Sequence, residues 1–354
     1  MALASPSLLA RFALPLFCLL GGCSSGEHDE EARPGDREPA PIEPYARPEY
    51  TTLSETGLYA DLEARRVAAG VASFTPNFVL WADDAEKRRY VALPPGVPID
   101  TDTLDHWVFP VGTKFWKEFL LDGQPIETRL VERYGDGPSD YFMGAFVWRA
   151  DGSDAELAPD GLDDAGGTVH DVPSQKQCQA CHNGERGRIL GFSAFQLARA
   201  ATGGEEWTLG ELTRTQRLSD PPASDADYAP PGDATTAAAF GYLHANCGHC
   251  HNESGTAWPD TQLVLRLDLG ETEGPAEATG MYRTLVGKKL QYYRDPELDY
   301  RVVPGEPDAS ALVVRMARRG GDQQQMPPLG TEVPDAHGLE LVRNWIAHLP
   351  PGAE

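Results

Sequence analysis

Tyr242-Leu243-His244-Ala245-Asn246-Cys247-Gly248-His249-Cys250-His251 is the stretch that decides how this chain is read. It ends in C-x-x-C-H, the attachment sequence of a c-type haem. The two sulfurs can form thioethers with a porphyrin, and the His can ligate its iron. On a helical turn, positions i, i+3 and i+4 share one face, so all three groups can reach one ligand. A second copy, Cys178-Gln179-Ala180-Cys181-His182, lies upstream. A thioredoxin-like pair or half of a zinc site would need no His directly after each pair. The expectation is two covalently bound c-type haems on Cys178, Cys181, Cys247 and Cys250, with His182 and His251 as iron ligands.

Each iron needs a second axial ligand. For the second haem, Gln325-Met326-Pro327-Pro328-Leu329-Gly330 offers Met326 in a proline-stiffened loop. A thioether there would favour the ferrous state and raise the potential. Met316 falls on an apolar helical face and reads as core. For the first haem three possibilities stand: His170, just upstream in Thr168-Val169-His170-Asp171; Met143; or an open iron able to react with small molecules. His244 reads as locally packed, and His106 and His249 as non-ligands.

The cysteine count supports this. Of six cysteines, four belong to the two motifs, and Cys18 and Cys23 belong to the N-terminus. No pair remains for a disulfide in the body of an exported chain. Residues 1–22 read as an export signal: Arg11, then the apolar run Phe12–Leu20, too short to span a membrane comfortably. Leu20-Gly21-Gly22-Cys23-Ser24 resembles a bacterial lipoprotein cleavage site, with Cys23 lipidated. Ser24 would suit sorting to the outer membrane of a Gram-negative host. The expected location is the periplasmic face or the cell surface.

The chain has 354 residues and a net charge of −24. Such acidity argues against nucleic-acid binding and favours solubility and basic redox-protein partners as donor and acceptor. The expected architecture is α+β and multidomain. Residues 23–50, acidic and proline-rich, read as a disordered tether. Residues 51–165 read as a β-rich domain: after one short helix at Leu58–Arg65, strands fall near 78–81, 89–93, 107–109, 114–121, 126–131 and 145–148. Their spacing and turns suggest a small antiparallel sandwich or barrel, with the aromatics as its core. Residues 166–225 form the first haem segment, with a helix expected over 189–201. Residues 226–354 form a mainly α, cytochrome c-like second haem domain. Its elements are a helix over 235–246, a strand over 261–269, a helix from Asp308 to Arg319, and a last helix capped by Asp335. Residues 256–303 would be an insertion.

The strings Phe74-Thr75-Pro76-Asn77-Phe78-Val79-Leu80-Trp81, Trp107-Val108-Phe109-Pro110-Val111-Gly112-Thr113-Lys114-Phe115-Trp116-Lys117-Glu118-Phe119, Val172-Pro173-Ser174 and Tyr242–Cys247 resemble a family of bacterial dihaem c-type cytochromes with an N-terminal β-rich domain. The resemblance covers roughly residues 70–350. It implies an exported electron carrier and supplies no distal ligand for the first haem.

No P-loop, dinucleotide fingerprint, G-x-S-x-G or H-E-x-x-H competes with the haem motifs. A carrier of single electrons is therefore expected ahead of a catalyst. The alternatives are a dihaem peroxidase-like enzyme using an open first haem, and a β-domain binding module with ancillary haems.

Overall fold

Strong β-formers with turn residues between them build a meander. In the computed structural model, which describes residues 46–352 apart from 202–205, 224–227 and 321–323, a short ribbon comes first. It pairs β1 (Tyr59–Asp61) with β2 (Arg66–Val67). One antiparallel sheet follows, β3 (Val71–Ser73), β4 (Glu86–Ala92), β5 (Lys114–Leu121), β6 (Gln124–Arg133), β7 (Tyr141–Trp148) and β8 (Ala155–Leu157), six strands in sequence order. Sequential hairpins explain that order, since each strand pairs with the next. The sheet is open, with β3 and β8 at its edges, and forms neither the sandwich nor the barrel expected.

Alternation along β5 gives the two faces different neighbours. Trp116 faces one way with Leu130, Phe142 and Phe146, over Leu53 and Leu58. Phe115 and Val91 face the other way and join Phe74, Phe109 and Phe192, then the helical core.

The helices are α1 (Gln175–His182), α2 (Ala194–Leu197), α3 (Leu209–Arg214), α4 (Ala234–Asn246), α5 (Trp258–Thr261), α6 (Gly280–Leu285), α7 (Ala311–Ala317) and α8 (Ala336–His348). Asp233 caps α4 by accepting from the Thr236 N–H at 2.8 Å, and Asp335 caps α8 from Gly338 at 2.9 Å. These two helices pack together, with Phe240 edge-on to Trp345 at 5.3 Å. Val342, Trp345, Ile346 and Leu349 form the buried stripe that the 3.6-residue period called for.

Several local expectations yield to tertiary bonding. Leu58–Arg65 is the start of the β1–β2 ribbon, not a helix, because Leu58 is drawn into the core under β5. Residues 78–81 and 107–109 are irregular apart from one bridge at Val108. The helix expected over 189–201 is only α2. Asn77 donates to the Phe195 and Ala198 carbonyls at 3.0 and 3.2 Å, taking acceptors that a longer helix would have used. Residues 261–269 alternate in burial without joining a sheet. Asp308 does not cap α7; it pairs with Arg343 at 2.8 Å, and Ser310 holds the cap position.

The expected signal, Cys23 and nearly all of the tether lie outside the described residues. Among those described, no helix is long and apolar enough to cross a membrane.

Candidate haem-binding site

Each C-x-x-C-H motif sits where a helix meets the sheet or a loop. Ser174 caps α1 in a reciprocal box with Gln177, so Cys178, Cys181 and His182 lie on a defined helical turn. The second motif begins where α4 ends. Cys247 is the C-terminal cap, and the N–H groups of Cys250 and His251 return to its carbonyl at 3.1 and 2.9 Å. The i, i+3, i+4 arrangement therefore holds at both copies.

The two motifs meet back to back. The donor atoms of Cys181, His249 and Cys250 all lie within 4.8 Å of one another. Gly184 permits this approach, since a Cβ there would collide with the His249 carbonyl oxygen. All four motif cysteines, His182, His251 and Met326 line one cavity of about 460 Å³, within the ordinary range of cofactor sites. Leu190, Leu263, Leu265 and Leu285 supply apolar wall.

The histidine environments suit metal ligation. Nδ1 of His182 lies 2.5 Å from the Arg188 carbonyl, which fixes the ring and leaves Nε2 for a metal. Burial pushes His182 down to about 3 and His251 down to about 4, so both rings are neutral at physiological pH. Nδ1 of His251 is buried without a partner. Burial also pushes the Cys178 and Cys247 thiols up to about 11 and about 12. The hydrogen bond between Cys181 and Cys250 shifts the other two in opposite directions, raising Cys181 and lowering Cys250. An apolar pocket carrying paired cysteines beside neutral histidines fits covalently attached haem.

A strap not visible as such in the sequence ties the parts together. The Trp81 N–H donates to Asn246 Oδ1 at 2.7 Å, and Asn246 Nδ2 reaches the Val79 carbonyl at 3.2 Å. Trp81 Nε1 donates to the Val333 carbonyl at 2.9 Å. Asp83 accepts from the N–H groups of Glu332 and Val333 and from Thr331. The segment at 77–83 therefore spans α2, the end of α4 and the chain just after Met326. The extended stretch at 264–269 clasps the second motif from the other side. The Leu265 N–H donates to the His251 carbonyl at 2.7 Å, and the Leu267 N–H donates to His244 Nδ1 at 3.0 Å. His244 was expected to pack locally; instead it is held by residues distant in the chain, Leu267 through this bond and Phe195 through a ring contact at 4.8 Å.

Met326 reaches the cavity; the two candidates for the first iron do not. His170 is buried on the sheet, its Nε2 engaged by Glu127 Oε2 at 2.7 Å. Met143 is buried opposite Val131 and is not part of the cavity wall. The charged residues Arg89, Lys117 and Arg129 do line the wall, and sequence reading singled out none of them.

No family model, curated protein or solved structure matches this chain.

Proposed function

We propose that the protein is an exported dihaem c-type cytochrome that passes single electrons between redox-protein partners, tethered to a membrane by lipid on Cys23. One observation carries this reading: both C-x-x-C-H motifs and Met326 line a single apolar cavity. When bound, the haem irons supply the one-electron chemistry. Cys178, Cys181, Cys247 and Cys250 would hold the porphyrins covalently. His182, oriented by the Arg188 carbonyl, and His251 would ligate the irons, and Met326 would complete the second site. The order α4, α7, Met326 loop and α8 supports a cytochrome c-like second haem segment.

The placement of His170 and Met143 away from the cavity favours a second reading, in which the first haem binds a small ligand in a peroxidase-like enzyme. Absorption spectra of the purified protein, oxidised, reduced and reduced with carbon monoxide, test both. Two low-spin c-type haems unchanged by carbon monoxide are expected for the carrier. A carbon monoxide complex at one haem would favour the enzyme, and the absence of covalent haem would refute both.

A further inference from the structure

Strand register brings three cations abreast. Arg89 on β4 pairs with Lys117 on β5, and Lys117 pairs with Arg129 on β6. Paired residues of neighbouring strands point to the same face, so the three side chains form one row. All three line the cavity. The row stands against the first motif: Arg129 is within electrostatic reach of Cys178 and Cys181, and Lys117 of His182.

Like charges directly opposite on a sheet repel, and a buried cation without a counter-charge is strongly unfavourable. Only Arg129 is compensated. Its Nε and Nη2 hold Glu127 at 2.6 and 2.9 Å, and His170 engages the same carboxylate. Among the described residues, no side chain bonds or ion-pairs with Arg89 or Lys117, although Arg89 is only 6 % exposed. The chain carries 54 acidic residues, yet among the described ones Glu127 is the carboxylate that bonds to this row, and it bonds to Arg129. The cavity surfaces of α1 present Gln177, Cys178, Ala180, Cys181 and His182, none of them a carboxylate. In so acidic a protein, two basic side chains that face a ligand cavity without a partner among the described residues, Arg89 buried and Lys117 half-buried, mark a place where the anion comes with the ligand.

We propose that Arg89 and Lys117 receive a propionate carboxylate of the porphyrin attached at Cys178 and Cys181. This rests on the dihaem reading above. Two cations beside that carboxylate disfavour the added positive charge of the ferric state, so the row raises the potential of the first haem relative to the same site without it. It also gives the sheet a role in the redox site, as the electrostatic wall of the first haem.

The test is spectroelectrochemical titration of the haem-loaded full chain. Lys117→Met and Arg89→Gln are expected each to lower one of the two midpoints, by a shift on the order of tenfold in the reduction equilibrium, about 59 mV for one electron. Lys117→Arg is expected to restore it. Both variants remove an uncompensated charge without breaking a bond within the protein, and either alone suffices if the other folds poorly. Two covalent haems with both midpoints unmoved in the variants would overturn the propionate site and leave the dihaem reading intact. A shift shared equally by both haems would overturn it too, as a general charge effect. A wild-type mass without haem would instead refute the underlying function.

Discussion

Nε2 of His170 stands 2.7 Å from Oε2 of Glu127, and Arg129 donates to both oxygens of the same carboxylate, at 2.6 and 2.9 Å. Glu127 and His170 are buried and Arg129 half-buried, and the triad engages the imidazole on the sheet. On the dihaem reading proposed above, His170→Gln is therefore expected to leave the haem absorption spectra unchanged. It should destabilise the protein by about 1–3 kcal/mol, the usual cost of a buried acceptor losing a partner. Spectra and urea unfolding of the same preparation check both halves.

The triad has an acid signature. Burial pushes the Glu127 carboxyl up, but Arg129 and His170 outweigh it and hold the group below the ordinary carboxylate range. A depressed folded pKa contributes stability that is present above the unfolded value and lost as pH falls through the folded one. Wild-type stability is expected to fall as pH drops below about 4.5, the ordinary Glu value, through protonation of Glu127 among other groups. Urea midpoints for wild type and Glu127→Gln should converge across that window. Parallel curves at all pH values would be the contrary result.

Asn246 joins the strap to the second motif through three hydrogen bonds, to Trp81, Val79 and Tyr242. Asn246→Ala removes the partners of the half-buried Trp81 N–H and of the carbonyl of exposed Val79. A loss of about 1–3 kcal/mol is expected from denaturant midpoints at unchanged m-value. Asn252→Ala, whose bonds stay within its own turn, is expected to cost less.

Gly184 is needed by contact, not by backbone angle. A methyl group there collides with the His249 backbone oxygen, so the two motifs must separate. Gly184→Ala is expected to cost about 1–3 kcal/mol through overpacking. Gly270→Ala, with nothing within 4 Å of its added carbon, should be close to neutral. Thermal unfolding of the pair isolates the steric effect.

Met326→Ala removes the only thioether that the Gln325–Gly330 loop offers to the cavity. On the dihaem reading proposed above, one haem is expected to lose its reduced low-spin spectrum and fall in potential, with the other unchanged. Met143→Leu should alter neither, and a spectral change in that variant would show that Met143 reaches an iron after all.

How far residues could be read in order depended on the range of the forces acting. The C-x-x-C-H motifs, the caps at Asp233 and Asp335 and the apolar stripe of α8 are local devices, complete within one or two helical turns. Strands β5, β6 and β7 were legible for the same reason, since alternation and turn residues lie side by side in the chain. Leu263 to Leu269 shows where local reading stops. Its alternation is real in burial, but its N–H groups bond to His251, His244 and Asp105 instead of a neighbouring strand. A period of two announces a half-buried extended chain and cannot name its hydrogen-bond partner.

The sequence by itself determined the chemistry: two sets of sulfur and imidazole at the spacing of a haem attachment, and a proline-bound methionine. Only the tertiary structure decided their company. It brought Cys181 beside Cys250, turned His170 toward Glu127, and set Arg89, Lys117 and Arg129 abreast. Those relations depend on strand register and on backbone contacts such as Gly184 against His249. Such contacts join residues far apart in the chain, and no local pattern of residue types encodes them.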